Sequence, residues 1–170
     1  NSIGDVIKQE GNAVIERQEG DVVKSEKDTD VFSMDTVLTQ QGATAIEFVD
    51  ETRVDVTPHS KLIIDDFVYD PNTKTGALSL KASLGTVRYA SGQIAKNSRQ
   101  NVIIKTPTAV IGVRGTDFTM TVDETGNTMV ILLPSCTTNG LCVVGEISVE
   151  SDVGIVILNK AFQVTSVNTR

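Results

Sequence analysis

Two cysteines are the residues of this 170-residue sequence whose spacing most clearly indicates chemistry. Cys136 and Cys142 enclose Thr-Thr-Asn-Gly-Leu, and a short loop with Gly140 in the left-handed conformation would place them directly opposite each other, within disulfide reach. A zinc site needs more ligands than two cysteines and one distant histidine, and a redox pair usually has a shorter spacing. We therefore predict a structural disulfide, with two reduced, inert thiols as the alternative.

Catalytic and metal-binding residues are sparse. His59 is the only histidine, so Ser-His or Cys-His catalysis would depend on it alone, and Pro58-His59-Ser60 is typical of a solvated turn. Asp65, Asp66, Asp70 and Asn72 offer oxygen ligands for calcium, but Lys74 follows at the next alternate position and no glutamate closes the loop. We expect no enzyme, no cofactor and no metal site.

A glycine-flanked arginine gives the most specific local pattern. Gly112 and Gly115 bracket Arg114 much as glycines flank a phosphate loop, but no Walker lysine follows and the surroundings are strand-like. The pattern predicts a tight turn in which the glycines allow close backbone approach or a positive φ. Arg114 lies in an apolar run, so we expect it to be partly buried and matched by a carboxylate or by backbone carbonyls. Arg114→Ala would then cost about 3–5 kcal/mol.

Alternation of apolar and polar residues predicts the secondary-structure elements that position the candidate residues described above. Short alternating runs recur every 8–12 residues, which indicates strands with one buried face. The only helical candidate is one turn near residues 92–96. The predicted strands cover residues 43–48, 53–56, 61–64, 77–81, 85–89, 102–105, 117–122, 128–133, 141–149, 155–158 and 162–167. We predict an all-β fold, a roll or solenoid-like sandwich of short strands, with a jelly roll as the alternative.

Composition and charge limit the partners. The net charge is −7 and the basic residues are scattered along the chain, which argues against nucleic acid as a partner. No apolar run approaches the roughly 20 residues needed to span a bilayer, so no membrane insertion is expected. Because the chain begins with Asn1 rather than Met, we expect that it was processed or excised from a longer protein.

Residues 106–118 resemble the T-P-x-A-x-x-G-x-R-G-T-x-F signature of the FecR domain, and residues 44–58 and 76–96 look like other parts of the family pattern. The resemblance implies a FecR-like β domain over residues 1–130, followed by a C-terminal β extension over residues 131–170 that packs on the same domain. The residues assigned to the structural motif are Thr106, Pro107, Gly112, Arg114, Gly115, Thr116 and Phe118.

The resemblance implies a protein-binding role, because FecR-like domains occur in iron-uptake signalling proteins, in secreted surface proteins and in virion proteins of tailed marine phages. Residues 132–164 are similar to FecR-like proteins of cyanobacterial phages. We therefore expect a non-catalytic structural or decoration module of a virion or extracellular assembly, as a homo-oligomer or part of a larger complex. The alternative is a periplasmic FecR-type sensor domain in iron-uptake signalling, which would bind the signalling domain of a receptor.

Overall fold

A computed structural model describes residues 1–98 and 100–169. Strands dominate it, which confirms the predicted all-β class. The strands are β1 Gly4–Glu10, β2 Ala13–Glu16, β3 Val22–Lys24, β4 Asp30–Val31, β5 Thr36–Thr39, β6 Ala43–Phe48, β7 Arg53–Val56, β8 Lys61–Asp70, β9 Thr75–Ala90, β10 Val102–Lys105, β11 Val110–Arg114, β12 Asp117–Val122, β13 Thr128–Leu133, β14 Ser135–Cys136, β15 Cys142–Val143, β16 Glu146–Ser151, β17 Gly154–Leu158 and β18 Val164–Val167.

The predicted helical turn near residues 92–96 is also present in the structure. Helix α1, Gln93–Asn97, connects β9 to β10 and buries Ile94 and Ala95. Asp50 fixes its position, because this fully buried carboxylate accepts hydrogen bonds from the backbone N–H of Ile94 and from Thr52. Within the described ranges, no helix has both the length and the apolar character that crossing a membrane requires.

The strands form two sheets that share β9. The first sheet has the order β4-β1-β6-β7-β9-β12-β13-β18, and the second has the order β3-β2-β5-β8-β9-β10-β11-β16-β17. Strand pairing is antiparallel except between β10 and the first part of β9, which run parallel, with the second part of β9 and α1 in the connection between them. Strands β14 and β15 form a separate hairpin.

Strand β9 passes from one sheet to the other at Gly85. Its first part pairs with β8 and β10, and its last part, from Gly85 onward, pairs with β7 and β12. Gly85 has a φ of 94°, and a Cβ there would overlap the side chain of Ser60, so a larger residue would prevent this bend. The sequence predicts two strands here, at 77–81 and 85–89, because the bend interrupts the alternation without ending the strand.

One hydrophobic core lies between the two sheets. Phe48 of β6 stacks on Phe67 of β8 across the layers, with ring centroids 5.3 Å apart. The predicted boundary between residues 1–130 and 131–170 falls within β13, and residues on both sides of it, such as Met120 and Ile147, contribute to the same core. The division into a domain and an extension stays a prediction.

Candidate protein-binding surface

The signature begins with a turn between β10 and β11 that is joined to the opposite sheet by threonine side chains. The hydroxyl of Thr106 accepts hydrogen bonds from the backbone N–H of Ala109 at 3.0 Å and of Thr108 at 3.3 Å. Thr128, at the start of β13, is buried, and its hydroxyl lies 2.7 Å from that of Thr106 and 2.8 Å from that of Thr108. These three residues form a threonine cluster that links the two sheets at one end of the sandwich.

Pro107 packs at the same end. It is exposed, and it lies against the loop that joins β12 to β13, where a Cβ on Gly126 would come within 3.2 Å of the proline ring. Gly126 has a φ of 94°, in the left-handed region that favours glycine. Pro107 therefore limits which residue can occupy the facing loop.

The two signature glycines meet different requirements. Gly115 has a φ of 55°, in the left-handed region, at the point where the chain leaves β11 and enters β12. Gly112 lies opposite Ser148 of β16, and a Cβ at Gly112 would come within 2.7 Å of the Ser148 hydroxyl. One glycine thus permits a turn and the other a close approach between strands.

Arg114 is partly buried and has a carboxylate partner. Its Nη1 atom lies 3.3 Å from Oε2 of Glu146, the residue opposite it on β16, and the two side chains are 39% and 36% exposed. The expected partial burial and carboxylate partner are thus confirmed, but the pair is too exposed for the predicted cost, because Arg114 occupies the outward-facing position of β11. The pair contributes about 0–1 kcal/mol rather than the 3–5 kcal/mol expected for a buried charge.

The end of the signature enters the core. Thr116 is fully buried, and its hydroxyl donates to the carbonyl of Leu133 at 2.7 Å. Phe118 is also fully buried and stacks on Tyr89, with ring centroids 5.0 Å apart. Burial raises the pKa of the Tyr89 hydroxyl, and it likewise raises the pKa of Asp117, which accepts a hydrogen bond from the backbone N–H of Ser91.

The cysteine pair forms a disulfide at the surface. Cys136 and Cys142 are directly opposite on β14 and β15, both are exposed, and their sulfur atoms lie 2.09 Å apart. Gly140 has a φ of 86° in the intervening loop. The asparagine-glycine turn therefore places the two cysteines directly opposite each other, as the sequence predicts.

The other residues considered for chemistry stay apart. His59 is exposed in the turn between β7 and β8. Asp65 lies 3.6 Å from the ammonium group of Lys81, and Asp70 accepts a hydrogen bond from the backbone N–H of Asn72. Among residues 1–98 and 100–169, no three histidine, cysteine or carboxylate side chains converge in a group that could hold a metal ion.

The most unusual surface is the free edge of β17. This strand ends the second sheet and pairs only with β16 in the described part of the chain. Ile155, Val156 and Ile157 are 61%, 47% and 46% exposed, so both faces of the strand present apolar side chains to solvent. An exposed apolar edge is typical of a protein-binding strand.

A groove runs beside this edge. It has a volume of about 500 Å³ and lies between β17 and β18, the last strands of the two sheets. Apolar side chains of Val153, Val156 and Val167 contribute to its lining, together with Pro107 of the signature turn. The signature thus supports one wall of the groove, although it supplies no reactive group there.

The family assignment follows from the position of the signature within a longer match. The model of a family described as FecR protein matches residues 35–134, more than half of the chain. The chain belongs to the FecR family. The match includes β11, the threonine cluster and the long strand β9, whereas β16 to β18 follow it.

Solved structures are similar to this chain. Two crystal structures of a protein named "putative anti-sigma factor" from Parabacteroides distasonis are similar at 11% sequence identity, with TM-scores of 0.49 and 0.50. Each comparison covers 77% of this chain and 57% of the other, so the chain spans a little over half of that protein. The likeness at a TM-score of 0.50 shows a common fold. A comparison with curated proteins finds no match.

These comparisons correct the predicted function. The expected role as a structural or decoration module of a phage virion was wrong, because the match over residues 35–134 is to the FecR family. They favour the alternative, a FecR-type sensor domain. The phage expectation depended on residues 132–164, which lie almost entirely outside the family match.

Proposed function

We propose that this chain is a non-catalytic sensor domain of the FecR type, which acts by binding the signalling domain of an outer-membrane receptor. The observation that carries the proposal is the FecR match over residues 35–134. A fold shared with a protein named as an anti-sigma factor is consistent with a role in transcriptional signalling. Fold alone does not determine function, so the proposal also needs a surface suited to a protein.

The exposed apolar strand supports a protein partner. Ile155, Val156 and Ile157 present branched side chains beside unpaired backbone groups, a combination that suits strand addition by another protein. The groove between β17 and β18 is open to solvent, and short side chains line it. A small-molecule site would have a few polar groups converging in an enclosed apolar pocket.

The disulfide supports a location outside the cytoplasm. Cys136 and Cys142 are both exposed, so a reducing compartment would have access to the bond. Disulfides of this kind persist in oxidising compartments such as the periplasm. The periplasm is also where a domain that contacts an outer-membrane receptor would have to lie.

A deletion in the source organism tests the proposal. The gene is expected beside genes for a sigma factor and an outer-membrane receptor, and removal of the segment that encodes residues 1–170 is expected to abolish the response of the receptor gene to its transported ligand. A matched strain that carries Val22→Lys, an exposed substitution far from the signature, serves as the control. An unchanged transcriptional response in the deletion strain would contradict the proposal.

A further inference from the structure

A second groove lies where the signature turn meets the chain just before β16. It has a volume of about 480 Å³, and we call it the basic groove. Two of its lining residues are glycines, and a Cβ on Gly145 would overlap the carbonyl oxygen of Arg114, so the two segments meet backbone to backbone. The residues of the lining that matter here are Lys96, Arg114, Gly115, Gly145, Glu146 and Asn159.

Positive charge exceeds negative charge in the basic groove. In the described part of the chain, Lys96 and Arg114 are the cations of its lining and Glu146 is the carboxylate. The chain as a whole has a net charge of −7, and the groove between β17 and β18 has Asp152 as its charged lining residue. A local excess of positive charge on an acidic protein attracts an anionic group.

Both cations have hydrogen-bond donors to spare. Glu146 contacts Arg114 through Nη1 alone, at 3.3 Å, whereas a guanidinium has five N–H donors and can hold a carboxylate at two points. The exposed ammonium of Lys96 has no ion-pair partner among residues 1–98 and 100–169. Asp117 is near enough to interact with Lys96, but its carboxylate is buried and accepts a hydrogen bond from the backbone N–H of Ser91.

The basic groove begins where β17 ends. Leu158 is the last residue of β17, and Asn159, the next residue, lines the groove. On the neighbouring strand β16, Glu146 lies one residue before Ile147, the partner of Leu158. A protein strand that pairs along the edge of β17 would therefore reach the groove when its chain continues past Leu158.

We propose that the basic groove binds a carboxylate side chain of the protein whose strand pairs with β17. The guanidinium of Arg114 and the ammonium of Lys96 are the groups that hold it. The inference rests on the proposed function for the identity of that protein, and it adds the chemistry of the contact. The partner carries an aspartate or glutamate just beyond the strand that it adds to β17.

The first test does not need the partner. The probe is a tetraglutamate peptide blocked at both ends, and blocked tetraglutamine is its uncharged control. In a titration followed by NMR, tetraglutamate is expected to shift the backbone amide signals of Gly115 and Gly145, and added salt is expected to weaken the effect. Equal shifts with both peptides, or larger shifts elsewhere in the chain, would overturn the inference.

Substitutions give opposite signs in the same titration. Lys96→Gln and Arg114→Gln are each expected to weaken tetraglutamate binding by about two- to fivefold, the effect of one exposed ion pair. Glu146→Gln is expected to strengthen it by a similar factor, because the carboxylate that competes for Arg114 is removed. Lys61→Gln is the matched control, since it removes the same charge from an exposed lysine on β8. Weaker or unchanged binding in Glu146→Gln would contradict the proposed role of Arg114.

The purified signalling domain of the receptor encoded beside this gene gives the closing test. Lys96→Gln and Arg114→Gln are each expected to raise its dissociation constant by about two- to fivefold, and Lys61→Gln is expected to leave it unchanged. A domain that binds all three variants equally would overturn the inference and leave the proposed function in place. Absence of binding by the domain, with the tetraglutamate shifts at Gly115 retained, would contradict the proposed function and keep the groove as a carboxylate site.

Discussion

Substitution of Thr128 by valine tests the contact between the signature turn and the opposite sheet. The Thr128 side chain is buried, and its hydroxyl is within hydrogen-bond distance of Thr106 at 2.7 Å and Thr108 at 2.8 Å. Valine keeps the branched shape and removes both hydrogen bonds. Each is worth about 0.5–1.5 kcal/mol, so the free energy of unfolding is expected to fall by about 1–3 kcal/mol.

The cost is not expected to exceed this range, because neither partner hydroxyl is left without a hydrogen bond. Thr106 still accepts from the backbone N–H of Ala109, and Thr108 still donates to the carbonyl of Gly126 at 2.8 Å. For a chain of this length, a loss of 1 kcal/mol lowers Tm by about 2–4 °C. The expected decrease in Tm is therefore roughly 2–12 °C.

Urea unfolding followed by circular dichroism measures the change directly. Thr119→Val, at a half-buried position of β12 outside the threonine cluster, is the matched control and is expected to shift stability by less than about 0.5 kcal/mol. If the two variants have equal midpoints, the threonine cluster does not hold the sheets together. A change in the slope of the unfolding curve would instead indicate altered compactness of the unfolded state.

Three further substitutions have distinct expected results. Arg114→Ala is expected to lower stability by no more than about 1 kcal/mol in urea unfolding, because the ion pair with Glu146 is half-exposed. Tyr89→Phe is expected to leave stability unchanged or raise it by up to about 1 kcal/mol, since the buried hydroxyl finds no hydrogen-bond partner within the described residues. Asp117 has a pKa raised above its ordinary 3.8 by burial, so the folded state binds this proton more tightly than the unfolded state. Stability is therefore lost as the pH rises above 3.8 through the raised value. Asp117→Asn is expected to reduce that loss when unfolding is measured between about pH 4 and pH 6.

Each of these has a clear contrary outcome. A cost of about 3–5 kcal/mol for Arg114→Ala would mean that the guanidinium is buried in solution. A large destabilisation by Tyr89→Phe would mean that the Tyr89 hydroxyl makes a hydrogen bond. If the stability of Asp117→Asn had the same pH dependence as that of the original chain, other carboxyl groups would cause that dependence.

Much of the fold could be predicted from alternation, because most strands bury one face. The exceptions have physical causes. Strand β9 changes sheets at Gly85, and a period-two pattern does not distinguish a bend from a strand end. The strands before Ala43 went unpredicted because most of them have two to four residues and carry charged side chains at exposed positions, which leaves too few alternating positions to detect.

The surface was harder to predict than the core. Arg114 is partly buried, as its apolar run predicts, but the predicted cost of about 3–5 kcal/mol required a fully buried charge. Val113 and Ile111 point inward while Arg114 points outward on the same strand, so its ion pair with Glu146 stays in contact with solvent. The β17 edge did leave a signal in the sequence, an uninterrupted apolar run from Ile155 to Leu158. Its exposure depends on which strand lies at the edge of the sheet, and the strand order cannot be predicted from the sequence of one segment.

The central claim is that the chain works by binding a receptor's signalling domain. Isothermal titration calorimetry with the purified signalling domain of the outer-membrane receptor encoded beside this gene tests it most directly. The account predicts saturable binding with a dissociation constant of roughly 10 µM or below, measured with the disulfide of Cys136 and Cys142 intact. The absence of binding at about 1 mM, with both proteins folded, would contradict it.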